Sequence, residues 1–114
     1  MTDCIFCKII AGQIPSDLVY KDAQVVAFKD IQPLAPVHLL IVPRAHIAAL
    51  PEIPDTDSGI IGHMAMVANK LAAQTGIAAA GYRVVINTGK EGGQVVKHLH
   101  LHLLGGKMLD GKLG

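Results

Sequence analysis

Tryptophan is missing altogether, and the aromatic residues amount to two Tyr and two Phe in 114 residues. That excludes the stacked aromatic platforms on which single-stranded nucleic acids are held. No charge of one sign dominates: ten Lys and Arg face nine Asp and Glu, for a net +1, which is no footprint for a long polyanion. No apolar run reaches the length that a bilayer requires, although half the chain is hydrophobic. The opening Met1-Thr2-Asp3-Cys4 has no basic stretch followed by an apolar one, so no secretion signal is expected. Internal repeats, low-complexity tracts and linker-like segments are also missing. These absences point to a soluble, cytoplasmic protein that binds neither nucleic acid nor membrane, folded as one domain over residues 1–114. They leave a small phosphate-bearing ligand open.

Cysteine is scarce too. Cys4 and Cys7 stand alone, two residues apart. In a reducing compartment that spacing suggests a metal or redox site rather than a structural disulfide.

Residues 4–10 read as a short helix stopped at Ala11-Gly12. Val19-Tyr20 and Val25 to Phe28 read as a hairpin turning near Lys21-Asp22-Ala23. Two prolines make residues 30–36 a loop, and residues 38–42 form a buried strand stopped by Pro43. Apolar residues at Ile60, Ile61, Met64, Val67, Ala68, Leu71 and Ala72 recur at helical spacing over 57–75, with Asp57 or Ser58 to cap the start and Gly76 the end. Strands are expected over 82–87 and 95–104, separated by a loop over 88–94. Strands in blocks with few helices between them favour an α+β fold, an antiparallel sheet of about five strands with one long helix and a short N-terminal helix. His63, in the long helix, has no assigned role.

The last strand carries the chemistry. Alternation puts His98, His100 and His102 on one face and Leu99, Leu101 and Leu103 on the other. The leucine face needs a core. A row of three imidazoles is not explained by packing, and converging polar groups mark sites. Two readings stand. The row could bind a catalytic zinc, since His-x-His on a strand supplies two ligands. Alternatively, one imidazole attacks phosphorus while its neighbours orient it and protonate the leaving group. Glycines 89, 92 and 93 lead into the strand, and such a loop can turn backbone N–H groups toward a phosphate oxygen.

The run Gly92-Gly93-Gln94-Val95-Val96-Lys97-His98-Leu99-His100-Leu101-His102-Leu103-Leu104 resembles the signature of the histidine-triad (HIT) family, His-φ-His-φ-His-φ-φ with φ apolar. Cys4 to Pro15, Ala27 to Ile31 and Ala35 to Pro43 resemble the same family, so the likeness covers nearly the whole chain. It is nearest to the Hint branch of purine nucleoside phosphoramidases. The third histidine, His102, sets it apart from the uridylyltransferase branch, which carries glutamine there.

The resemblance implies a HIT-like fold and a homodimer. It implies a nucleotide-binding hydrolase of purine nucleoside phosphoramidates or related adenylated compounds. In it His100 attacks the α-phosphate, His102 contacts phosphate or leaving group, and His38 sits behind His100 and orients it. Asn87 and the backbone of Gly93, Gln94, Val95 and Val96 would bind phosphate oxygens. Asp30 matches the ribose-binding acid, able to accept from both hydroxyls. Ile5, Phe6, Ile9, Phe28, Ile31 and Leu40 would line the base pocket. Val95 stands where some Hint proteins have a serine near the leaving group, and the tail after Gly106 is short.

By spacing, Cys4 and Cys7 make half a zinc site, and His46 and His98 are candidates for the rest. The resemblance implies a structural zinc on all four, with His98 structural and catalysis metal-free. The competing readings are a metallohydrolase with zinc on His98, His100 and His102, and a nucleotide-binding scaffold with incidental turnover.

Overall fold

The computed structural model describes residues 4–113. Helix α1 (Ile5–Ile10) comes first, followed by strands β1 (Leu18–Lys21), β2 (Val25–Lys29) and β3 (Val37–Pro43), helix α2 (Ile60–Gln74), and strands β4 (Tyr82–Val85) and β5 (Leu101–Gly105). All pairings are antiparallel, in the order β1-β2-β3-β5-β4. This is the expected α+β architecture: five strands, one long helix and a short leading one.

The two faces of the sheet follow from residue alternation. Val25 and Ala27 of β2, Leu39 and Ile41 of β3, and Leu101 and Leu103 of β5 point to one side. There they pack on Ile60, Met64, Val67, Ala68, Leu71 and Ala72, the apolar stripe of α2. Burying such a stripe is what holds an amphipathic helix on a sheet. Val26, Phe28, Leu40 and Val42 point the other way and meet Phe6 and Ile9 of α1. The short helix covers only part of that second face. His38 and His102 alternate onto it as well, at the part left open.

Helix α2 starts later than its pattern suggests. Asp57 and Ser58 do not cap it: Asp55–Asp57 form a 3-10 turn, and Gly59 is the N-cap without a side-chain bond. The N–H groups of Asp57 and Ser58 are used within that turn, on the carbonyls of Pro54 and Asp55. His63 does have a role. Its Nε2 lies 2.8 Å from Asp22 Oδ2, tying the β1–β2 turn to α2. Asp22 also accepts from Tyr20 and from the N–H groups of Gln24 and Val25. Burial works against its charge, but these bonds outweigh it and hold the carboxyl below the usual range.

The last strand is shorter than expected. Pairing with β3 begins only at Leu101, opposite Ile41. Pro43 ends the ladder: it has no N–H to donate, and its carbonyl oxygen takes His98 Nε2 at 2.8 Å. The N–H of Leu99 goes to the Ile47 carbonyl instead. Residues 95–100 are therefore not strand, yet Leu99 is still buried in the α2-side core. Likewise β4 stops at Val85, short of the expected 87. No described helix is long and apolar enough to cross a membrane.

Candidate functional site

The open part of the second sheet face gathers all the histidines of the triad motif. His98, His100 and His38 are buried, and His102 is half-buried. Phe6, projected from α1, stands edge-on to His98 and His100, at centroid distances of 5.8 and 5.2 Å. His100 and His102 are 5.0 Å apart, and His102 and His38 5.2 Å. The rings thus run in a row from α1 through His102 on β5 to His38 on β3.

Hydrogen-bond partners fix which nitrogen carries each proton. His100 Nδ1 lies 2.7 Å from the carbonyl oxygen of His98. A carbonyl only accepts, so Nδ1 holds the proton and Nε2 keeps its lone pair. His38 Nδ1 accepts from the Leu34 N–H at 3.1 Å. Its Nε2–H therefore donates to His102 Nδ1, at 2.9 Å, and the remaining proton of neutral His102 sits on Nε2. This corrects one expectation: His38 orients His102 rather than His100, whose ring is held by backbone. Burial, then the neighbouring His100 and His38, push His102 down to about 4, against the opposing effect of Asp30. Burial also lowers His38, with Asp30 opposing.

Asp30 ends β2's loop side of the site. One carboxylate oxygen accepts from the Gln32 N–H at 2.9 Å, and the other lies 3.4 Å from His38 Nε2. Asp30, His38 and His102 could be grouped as metal donors by proximity. Both nitrogens of His38 are already used in hydrogen bonds, however, so the group is a polar network rather than a ligand set.

At the other end of the row, Cys4, Cys7, His46 and His98 bring their donor atoms within 4.8 Å of one another, close enough to hold a metal ion. Cys4 caps α1, its Sγ accepting the Cys7 N–H at 3.3 Å. Cys4 Sγ lies 3.3 Å from His98 Nδ1, and Cys7 Sγ lies 3.3 Å from His46 Nδ1. The bond to Pro43 commits His98 Nε2–H and leaves Nδ1 facing the sulfurs, which is how an outer-shell carbonyl orients a ligating imidazole. Two thiols with two imidazoles form a soft donor set that suits a tetrahedral ion. The catalytic-zinc alternative loses its ligands: His98 faces the cysteines, whereas His102 faces His38.

The glycine loop is braced internally. Asn87 Nδ2 donates to the Gly92 carbonyl at 2.8 Å. A Cβ at Gly92 would run into the Thr88 carbonyl, and Gly93 has φ +84, so both positions need glycine. Gln94 accepts from the Gly89 N–H and donates to the carbonyls of Ala48 and Val96. Its side chain therefore builds the loop and is not directed to a ligand. Val95 is exposed, and Val96 packs on the α1-side core. Of the expected base-pocket residues, Phe6, Ile9, Phe28 and Leu40 are buried together in that core, whereas Ile5 and Ile31 are exposed.

The model of the HIT domain matches residues 11–109. The chain belongs to the HIT domain family. Purine nucleoside phosphoramidase of Escherichia coli is 49% identical over 107 residues, covering 94% of this chain and 90% of that protein. A histidine triad protein from Clostridium difficile superposes with a TM-score of 0.95 at 49% identity, over 99% of this chain and 98% of that one. A HIT family hydrolase from Legionella pneumophila gives 0.93 at 46% identity, over 98% and 100%.

Sequence reasoning missed one feature of this HIT domain. Beside His102 opens a cleft of about 560 Å³ that reaches Arg83 of β4 and the tail residues Lys107 and Lys112. Alternation along β4 could have placed Arg83 with Val85 on the site's face. The folding back of the tail has no local sequence signal.

Proposed function

We propose that this HIT-family enzyme hydrolyses purine nucleoside 5'-phosphoramidates or related adenylated compounds through a nucleotidyl-histidine on His100. The observation that carries the reading is the bond from His100 Nδ1 to the His98 carbonyl, which leaves Nε2 with a lone pair in a ring that cannot turn away. The 49% identity to the phosphoramidase of E. coli supports the same substrate class.

His100 Nε2 attacks the α-phosphorus. The P–N bond breaks, and its electron pair leaves with the amine nitrogen, which takes a proton from water in the cleft. A second water then attacks the phosphorus, the bond to Nε2 breaks with its pair returning to the ring, and that water's proton goes back to solvent. The products are a nucleoside monophosphate and an amine. His102, held neutral by burial and its neighbours, donates from Nε2 to a phosphoryl oxygen as charge builds there. Asn87 and the backbone of the loop from Gly93 to Val96 bind the other oxygens. Asp30 accepts from the ribose hydroxyls. The base lies against the α1-side cluster of Phe6, Ile9, Phe28 and Leu40, with Ile5 and Ile31 at the rim.

Cys4, Cys7, His46 and His98 would hold a structural zinc. When bound, the ion supplies a cross-link between α1 and the segment that carries the triad. Four protein donors close a tetrahedral site and leave no position for substrate, so turnover needs no metal.

We further infer a homodimer. Among the described residues strand β4 is an edge with one side unpaired, and its Tyr82 and Val84, with Met66 of α2, are exposed hydrophobics.

Intact-protein mass spectrometry after mixing with an adenosine phosphoramidate tests the reaction. The expected result is a mass gain of one nucleoside monophosphate, absent in His100→Ala, whose turnover falls by at least roughly 10³-fold. An adduct that persists in His100→Ala defeats the reading.

A further inference from the structure

The cleft beside His102 adjoins the proposed phosphoryl site, since Asn87 and His102 both line it. His38 and His102 line it together with Arg83 of β4 and Lys107, Met108 and Lys112 of the tail. We propose that this cleft receives the leaving group, and that Arg83, Lys107 and Lys112 select leaving groups that carry an anion, a carboxylate or a phosphate. The inference rests on the proposed phosphoramidase reaction and assigns the half of the substrate which that reaction leaves undefined.

Three observations converge. The first is position. In displacement at phosphorus the leaving group departs in line, away from the nucleophile. The cleft starts at Asn87 and His102, the groups assigned to the phosphoryl oxygens, and continues to Arg83 and the tail, while neither Phe6 nor His100 lines it.

The second is charge. Among the described residues, three cations line the cleft, and Asp110 is the only carboxylate beside them. Walls of one sign in a cleft concentrate ligands of the other.

The third is order. Arg83 does not trail into solvent. It donates through Nη2 to the carbonyl oxygen of Asp110, and its Nη1 lies 3.8 Å from Asp110 Oδ1. Its side chain is 31% exposed, against 71% for that of Asp110. The guanidinium thus pins the tail as one wall and still presents charge to the cavity. Lys107 and Lys112, which also line the cleft, are exposed. A guanidinium held by its tail partner beside two exposed ammonium groups is an arrangement for capturing a small anion, and guanidinium suits carboxylate and phosphate alike.

The test compares adenosine 5'-phosphoramidates whose leaving amines differ only at the far end: 4-aminobutanoate, its neutral amide, and 2-aminoethyl phosphate beside 2-aminoethanol. The readout is the ratio of kcat/KM, anionic over neutral, within each protein. The full chain is expected to favour both anions by about tenfold at low salt. The preference should fall toward unity at about 1 M salt, because the cleft is open to screening. Lys107→Gln should halve the preference or more, and Arg83→Gln combined with Lys107→Gln should abolish it. Using a ratio removes any general loss from a loosened tail. A preference for carboxylate alone or phosphate alone identifies the natural anion and supports the proposal. A ratio of one or below in the unmodified chain overturns it, as does a preference that survives in the double variant. Neutral substrates report separately on the underlying reaction. If they form no nucleotidyl adduct on His100, the phosphoramidase reading fails and this inference falls with it. If they do and the ratio is flat, only the inference falls.

Discussion

Both ring nitrogens of His38 are spent on its neighbours, one accepting from Leu34 and one donating to His102. This fixes the tautomer of His102, with the Asp30 carboxylate 3.4 Å from His38 Nε2, and the burial of the ring has a measurable consequence. The folded His102 titrates near 4 rather than at the ordinary 6.5. Between those values the unfolded ring is protonated and the folded one is not, so the unfolded state binds more protons and stability falls as pH falls. His38 is shifted in the same direction. Denaturant unfolding at about pH 7.5 and about pH 5 should therefore show a loss that is smaller in His102→Gln by about 1 kcal/mol, once screening at the half-exposed ring is allowed for. Equal losses in the two proteins would contradict the depressed value. That His98, His100 and His102 gather together was legible in the sequence, because a row of three imidazoles alternating with leucine is not explained by packing. Their partners were not. The carbonyls of His98 and Pro43 and the N–H of Leu34 are backbone groups, and no residue type announces them. That is why His38 was expected behind His100 and is found against His102.

At the scale of elements, the six-residue helix α1 is too short to be stable by itself. It is held by Phe6 and Ile9 on the sheet, and by the convergence of its two thiols with His46 and His98. His98 stands in both systems, since its ring faces the sulfurs and its carbonyl holds His100. A metal at this site should thus stabilise the helix and the nucleophile together. The purified protein is expected to carry one zinc per chain by elemental analysis, lost in Cys4→Ser and Cys7→Ser. Removal should cost about 2 kcal/mol or more, a fall in Tm on the order of 5–10 °C for a domain of this length. Well below the new Tm, the chelated enzyme should still form the His100 adduct. Full loss of turnover in a chelated but folded protein would revive a catalytic role for the ion. The cysteine spacing made half of this centre readable, and the family likeness supplied the rest. The start of the last strand was not readable, because Leu99 keeps the alternation of a strand while Pro43, a residue distant in sequence, removes the ladder's donor.

At the scale of the molecule, the two edges of the sheet are unlike. Edge β1 carries Lys21, and its pairing with β2 is irregular between Leu18 and Tyr20. Charge and irregularity are devices that keep an edge from pairing with another chain. Edge β4 has regular pairing to β5 along its length and turns Tyr82 and Val84 outward on the α2 side. Tyr82 also donates to Asn69 of α2, and Met66 on the same helix is 66% exposed. An unprotected edge beside exposed apolar side chains is what a two-fold contact needs, since the same patch meets itself across the axis. Two copies joined along β4 would extend the sheet and leave the histidine face of each open. Light scattering of the full chain should give twice the chain mass. Val84→Lys combined with Met66→Lys should give the monomer, because like charges would then face each other across the axis, and Tm should become independent of protein concentration. The adduct on His100 should still form in the monomer, since every residue assigned to the reaction lies within one chain. A double variant that remains dimeric would place the contact elsewhere. A monomeric variant that folds and binds nucleotide but forms no adduct would mean that the partner copy completes the site.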